Sequence, residues 1–289
     1  MVQFPGLGSG PVVVVAFEGW NDAGEAASGV VETLREQLEA VPVASVESED
    51  YFDYQFNRPT WVLDEDGART LEWPEVTLYA SGVPGSKLHL LLGTEPSRGW
   101  KTFSSEIVDH LLAVDASGVL FLGAMLADVP HTRPISVFAT SENALVRERF
   151  DLERSTYEGP VGIISVLAEA AERAGIPTLS IWASVPHYVH NAPSPKATLA
   201  LIQRLEEFVE VVVDRGSLVE ESAAWESGID ALASDDDDMA QYIQQLEQAR
   251  DTVDAPEASG DAIAEEFERY LRRRDGRAGN GPEPRGPRG

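Results

Sequence analysis

Polar, ionisable and aromatic residues bunch directly behind several short apolar runs. Behind VVVVAF come Glu18, Asn21 and Asp22, and behind LHLLL comes GTEPSRGW, with Glu95, Arg98 and Trp100. The stretch GAMLADVPHTRP brings Asp128, His131 and Arg133, and SVPHYVHN brings His187, Tyr188, His190 and Asn191. Asp128 with His131 or His187 could move a proton between carboxylate and imidazole. Arg98 and Arg133 could hold a carboxylate or phosphate through their forked N–H groups. Each reading has a plainer twin. Asp128 and His131 also read as a loop held by side-chain hydrogen bonds around Pro130 and Pro134, and both arginines have many acids to pair with. If the apolar runs are parallel strands, ligands bind beyond their carboxyl ends. Asn21, Asp22, Glu95, Arg98, Trp100, Asp128, His131, Arg133, His187 and Tyr188 are then the candidate ligand-binding residues.

Several familiar chemistries lack their parts. Gly19 and Gly24 have the spacing of a phosphate-binding P-loop, but Glu25 and Ala26 stand where Lys and Ser or Thr must be. Glu18, Asp22 and Glu25 make that loop acidic and repel a triphosphate. GLGSG at 6–10 precedes the first apolar run, whereas a dinucleotide fingerprint follows a strand. There is no cysteine, which removes thiol nucleophiles, disulfides and Cys-ligated zinc. His187 and His190 need an unseen third ligand to hold a metal. No Gly-x-Ser-x-Gly elbow is present. The sequence therefore assigns no catalytic residue, no metal and no cofactor.

The elements that must position these residues alternate. Val12–Phe17, Leu88–Leu92, Val119–Leu122, Ile135–Ala139 and Thr178–Ala183 read as strands. Between them lie helical patterns: one from Asp22 to about Leu38, then Thr102–Val114, Ser141–Phe150 and Val161–Ala174, the last ended by Gly175. Asp22 is the expected N-cap of the first, with Glu25 completing a capping box. Ser194-Pro195 opens a helix running to about Val213. The small residues of AGEAASG predict close packing of the first helix. This βα alternation predicts an α/β three-layer sandwich with a mainly parallel sheet. Trp182 reads as core.

Residues 45–80 alternate and are rich in aromatics, with Asp66-Gly67 as a turn signal, so a β-hairpin is expected to be inserted there. Phe52, Tyr54, Trp61 and Trp73 read as either core or an oligomer contact, the contact being favoured because a protruding hairpin buries little by itself. Residues 217–274 show three amphipathic helical patterns and no strand: Leu218 to Leu232, Met239 to Val253 and Ile263 to Leu271. Between 217 and 268 there are 16 acidic residues against one basic. Asp235–Asp238 reads as a helix start. The expected organisation is a core at 1–216, a helical segment at 217–274 and a disordered Gly/Pro-rich tail at 275–289.

The 289 residues carry a net charge of −27, which argues against nucleic acid as a partner. No apolar run of 18 residues and no signal-like N-terminus is seen, so a cytoplasmic location without membrane contact is expected.

FEGWNDAGEAAS, GTEPSRGW, GAMLADVPHTRP, YEGPVGI and WASVPHYVHNAPSPKAT, in that order, resemble the proteasome-assembly-chaperone family. The likeness spans roughly residues 10–213 and is strongest to the bacterial branch with an added C-terminal helical segment. The resemblance implies an α/β core similar to purine nucleoside phosphorylases and peptidyl-tRNA hydrolases. It implies a homotrimer supported by the hairpin, and a helical lid over a ligand site. It also implies a protein partner or a small-molecule ligand. The chain ends in PEPRGPRG, without the hydrophobic-Tyr-x motif that several eukaryotic and archaeal members dock with. Two functions follow: a binding or chaperone-like protein, and a small-molecule enzyme of phosphorylase or hydrolase type.

Overall fold

A computed structural model describes residues 7, 10–47, 49–64, 67–190, 192–209 and 211–253. Its centre is β1 (Val12–Glu18), a run of branched residues with both faces buried. β1 pairs in parallel with β6 (Leu88–Thr94) on one side and β7 (Gly118–Ala127) on the other. β7 pairs in parallel with β9 (Thr178–Pro186). At one flank β5 (Val76–Ala80) runs antiparallel to β6, and β2 (Val41–Val46) antiparallel to β5. At the other flank β8 (Val137–Thr140) runs antiparallel to β9. The strand order is β2-β5-β6-β1-β7-β9-β8. Two reversals return β2 to the direction of the centre, so β5 and β8 alone oppose the other five strands of this sheet. The sheet is mixed and mostly parallel, as the alternating pattern predicted.

Alternation along β1 distributes the core to two faces. Val12, Val14 and Ala16 meet α1 (Ala26–Gln37) and α5 (Pro195–Val209). Val13, Val15 and Phe17 meet α2 (Trp100–Ala113) and α4 (Ile163–Arg173). That is the expected three-layer sandwich. The small residues of α1 let α5 approach: a Cβ on Gly29 would lie 3.2 Å from the Thr198 hydroxyl. α3 (Ala144–Phe150) starts later than the expected Ser141, because Asn143 caps it through Leu145 and Val146 N–H. Ser141 donates instead to the Thr178 carbonyl at 2.6 Å. α5 ends at Val209 rather than near Val213.

The arm between residues 45 and 80 is more divided than expected. β2 and β5 belong to the main sheet, while β3 (Thr60–Leu63) and β4 (Arg69–Glu72) pair as a separate antiparallel hairpin. For Phe52 the core alternative holds rather than the favoured contact. It is fully buried in the core beside Tyr51, whose ring packs edge-on to Phe103. Trp61 and Leu63 on β3 are 56% and 71% exposed, and Trp73 packs edge-on to Tyr54. Asp66 lies outside the described residues.

Beyond α5 the chain forms α6 (Leu218–Ser234) and α7 (Asp237–Val253). The Asp236 carboxylate accepts from Asp238 and Met239 N–H, so the acidic run opens α7. α6 packs along α5. The third expected helix and the tail from 275 lie outside the described residues.

Gly93 on β6 pairs with Val76 at the start of β5. A Cβ there would fall 2.1 Å from the Glu75 carbonyl oxygen, a backbone atom that cannot swing away. Gly93→Ala is expected to destabilise the fold by about 3 kcal/mol. Denaturant unfolding of the two proteins measures it.

Candidate functional site

The loop after β1 is built from its own polar groups. Asn21 is 1% exposed, and its carbonyl accepts from Ala124 N–H at 2.7 Å, which ties the loop to β7. Its Nδ2 donates to Glu95 Oε1 at 2.9 Å. The same oxygen accepts from Ile163 N–H at 2.9 Å, so Glu95 caps α4 while holding Asn21. Gly162 permits this approach, since a Cβ there would fall 2.2 Å from Asn21 Oδ1.

Asp22 does serve α1, but not as the local capping box that was expected. Its Oδ1 accepts from Ala27 N–H at 2.7 Å and Ser28 N–H at 3.2 Å, and its Oδ2 from the Ser28 hydroxyl at 2.5 Å. A short 3₁₀ turn at Ala23–Glu25 separates it from the helix. Glu25 takes a left-handed conformation, φ 50°, and its side chain makes no capping bond. Burial pushes the Asp22 carboxyl up to about 6, against the lowering effect of Ser28 and Ala27.

Arg98 and Trp100 lie apart from the other strand-end groups. Arg98 Nη2 donates to the carbonyls of Glu49 at 2.5 Å and Phe52 at 3.0 Å, and so fixes the root of the aromatic arm. Trp100 Nε1 donates to the Pro96 carbonyl at 2.6 Å.

The loops after β7 and β9 come together, and α6 and α7 close over them. His131 is fully buried. Its backbone N–H donates to the Tyr188 oxygen at 2.7 Å, and its Nδ1 lies 2.9 Å from the same oxygen. The tautomer that satisfies all three takes the Tyr188 proton at Nδ1 and carries its own hydrogen on Nε2. Nε2 then donates to Asp230 on α6, 3.1 Å away. Burial lowers the His131 pKa despite Asp230, so the ring is neutral at pH 7. Trp225 packs edge-on to it. Lys196 Nζ donates to the His131 carbonyl at 2.6 Å and to Glu226 on α6.

In place of the expected Asp128–His131 pair, Asp128 faces His187 Nδ1 at 3.4 Å and accepts from the Tyr242 hydroxyl of α7 at 3.3 Å. Arg133 makes a two-pronged pair with Asp251, both bonds 2.8 Å, and reaches Glu247 at 3.1 Å. Those carboxylates raise the Arg133 pKa. The structure thus joins Asp128, His131, Arg133, His187 and Tyr188 in one seam. Lys196, Trp225, Asp230, Tyr242, Glu247 and Asp251 complete it. The i, i+4 acids Glu247 and Asp251 were the sequence signal for a basic partner, though not for which one.

Two cavities flank the β1 loop. One, of about 660 Å³, runs between α1, α5 and α6 and is lined by Glu18, Glu25, Glu32, Glu36 and Glu221. The other, of about 700 Å³, opens on the opposite sheet face and is lined largely by apolar and aromatic groups. Asp22 borders both, and is the one expected site residue that lines either. Among the described residues, no group of three His, Asp or Glu side chains is placed to hold a metal. No described helix is long and apolar enough to cross a membrane.

Fold and seam together define a three-layer α/β protein whose strand-end loops are clasped by an appended helical pair. A family model described as the PAC2 family matches residues 16–233, and the chain belongs to that family. It is similar to a PAC2 family protein from Streptomyces avermitilis, at 44% identity over 80% of this chain and 99% of that one, TM-score 0.73. A proteasome-assembly-chaperone homologue from Mycobacterium tuberculosis matches at 40% identity over 80% and 99%, TM-score 0.72. A protein of unknown function from the same organism matches at 28% identity over 93% and 92%, TM-score 0.77. No curated protein matches this chain.

Asp22 gives a test of the loop. Its value is raised in the fold, so the native state holds an extra proton between pH 3.8 and about 6. Its contribution to stability is full below that window and is lost as pH rises through it, by roughly 3 kcal/mol at 1.36 kcal/mol per unit. Asp22→Asn cannot ionise. Urea unfolding at pH 4 and pH 7.5 is expected to show that fall shrinking in the variant. An unchanged fall would contradict the assignment.

Proposed function

We propose that this chain is a binding protein of proteasome-assembly-chaperone type that acts as a homotrimer in the cytoplasm. The hairpin β3–β4 makes the contact between copies. Residues 217–274 act as a lid, separate from the 1–216 core, over a ligand site at the carboxyl ends of β1, β7 and β9.

One observation carries the preference for binding over catalysis. The groups best suited to chemistry are engaged elsewhere: His131 at both ring nitrogens, Arg133 by two carboxylates, Arg98 by two carbonyls. A general base must reach its substrate, and a fully buried neutral imidazole held on both sides does not. The similarity to the Mycobacterium tuberculosis proteasome-assembly-chaperone homologue supports a protein partner. The exposed rings and leucines of β3–β4 support self-association. A small-molecule enzyme of phosphorylase or hydrolase type is the second reading. What favours it is Asp22, a buried carboxyl with a value near 6 beside two cavities.

Native mass spectrometry of the chain purified gently from its own cells tests this reading. The expected spectrum is a trimer carrying additional protein subunits, with Trp61→Glu dissociating the trimer to monomers. A wild-type monomer would overturn the trimer. Repeated preparations without any protein partner would overturn the chaperone reading.

A further inference from the structure

The 700 Å³ cavity on the α4 side of the sheet reaches the ends of β1 and β7 at Trp20, Asp22, Met125 and Leu126, but lies apart from the seam that α6 and α7 close. No residue of α6 or α7 lines it. It lies between β8, β9, α4 and the loop at 151–162, and its walls are aromatic. Trp20, Phe138, Tyr157 and Trp182 all border it. Gly123 lets the Trp182 ring lie against β7, since a Cβ there would meet that ring at 2.5 Å. A volume of this size suits a small organic molecule.

The charge of the lining narrows the chemistry. Carboxylates border the cavity, Glu142 and Glu169 among them, and among the described residues no lysine or arginine does. Glu142 and Glu169 now pair with Arg154 and Arg173, but all four side chains are more than half exposed. Such surface pairs are weak and exchange readily. A cation brought to aromatic faces gains attraction from the ring quadrupoles as well as from the carboxylates. An anion meets neither. A neutral molecule gains only the apolar walls.

We propose that this aromatic cavity is a binding site for a small organic cation, an amine on an aromatic or branched aliphatic body. The rings of Trp20, Phe138, Tyr157 and Trp182 enclose the body, and Glu142 and Glu169 hold the ammonium on the solvent side. The site is independent of the strand-end seam and of any protein partner.

The test is calorimetric titration of the full chain with phenethylammonium, 2-phenylethanol and 3-phenylpropionate, which share a body and differ in charge. The amine is expected to bind at least about tenfold more tightly than the alcohol, more weakly as salt rises, and the carboxylate more weakly than either. Ser165→Phe, an exposed position on α4 that lines the cavity, is expected to abolish amine binding without loss of fold. Trp182→Leu, which keeps an apolar wall, is expected to weaken the amine more than the alcohol. Equal affinities for the three compounds would overturn the proposal, as would binding unaffected by Ser165→Phe. Absence of amine binding, with Ser165→Phe instead changing the oligomer mass, would show the cavity to be covered by a second copy and overturn it likewise.

Discussion

Burying His131 without charging it is the constraint on which the rest of the strand-end architecture depends. A buried imidazole needs a partner at each nitrogen. One partner, Tyr188, comes from the loop after β9, and the other, Asp230, from α6. The loops after β7 and β9 must therefore touch, and α6 must lie across both. Lys196 reinforces the arrangement from α5 by bridging the His131 carbonyl and Glu226. Arg133, two residues along the same loop, reaches onward to α7. One short segment thus fixes two helices that the parallel sheet alone would not require.

This use of charge explains an otherwise awkward feature of the chain. α6 and α7 are strongly acidic, and a net charge of −27 disfavours compaction. The few cations near the strand ends are placed where carboxylates converge. Exposed pairs of this kind are each worth little, and screening weakens them further. Those around Lys196 and Arg133 are only partly exposed and are joined to the buried histidine. Together they form a cooperative clasp, in which side chains that look catalytic in the sequence hold helices.

Much of the fold was legible because its signals are local. The VVVV run of β1 and the small residues of α1 mark their elements by composition over a few positions, and Ser194-Pro195 before α5 and the acids opening α7 act within a few residues of themselves. The Asp22 cap was half legible: the residue type marks the helix start, but a 3₁₀ turn and a left-handed Glu25 intervene, and neither leaves a pattern. The arm misled because aromatic content does not distinguish burial. Phe52 is fully buried in the same core cluster as Phe103 and Phe17, while Trp61 is more than half exposed. The candidate site was legible as a set of residues but not as pairs. Asp230 is 99 positions from His131 and Asp251 is 118 from Arg133, and nothing local encodes which acid of an acidic helix a loop will meet.

The strand-end groups clasp α6 and α7. Hydrogen exchange on the full chain, comparing wild type with the double variant Arg133→Met and Asp230→Ala, tests it most directly. Amides of α6 and α7 are expected to exchange at least about tenfold faster with β7 and β9 unchanged, as a local opening would give. Unchanged protection of α6 and α7, or equal loss of protection across the sheet, would contradict it.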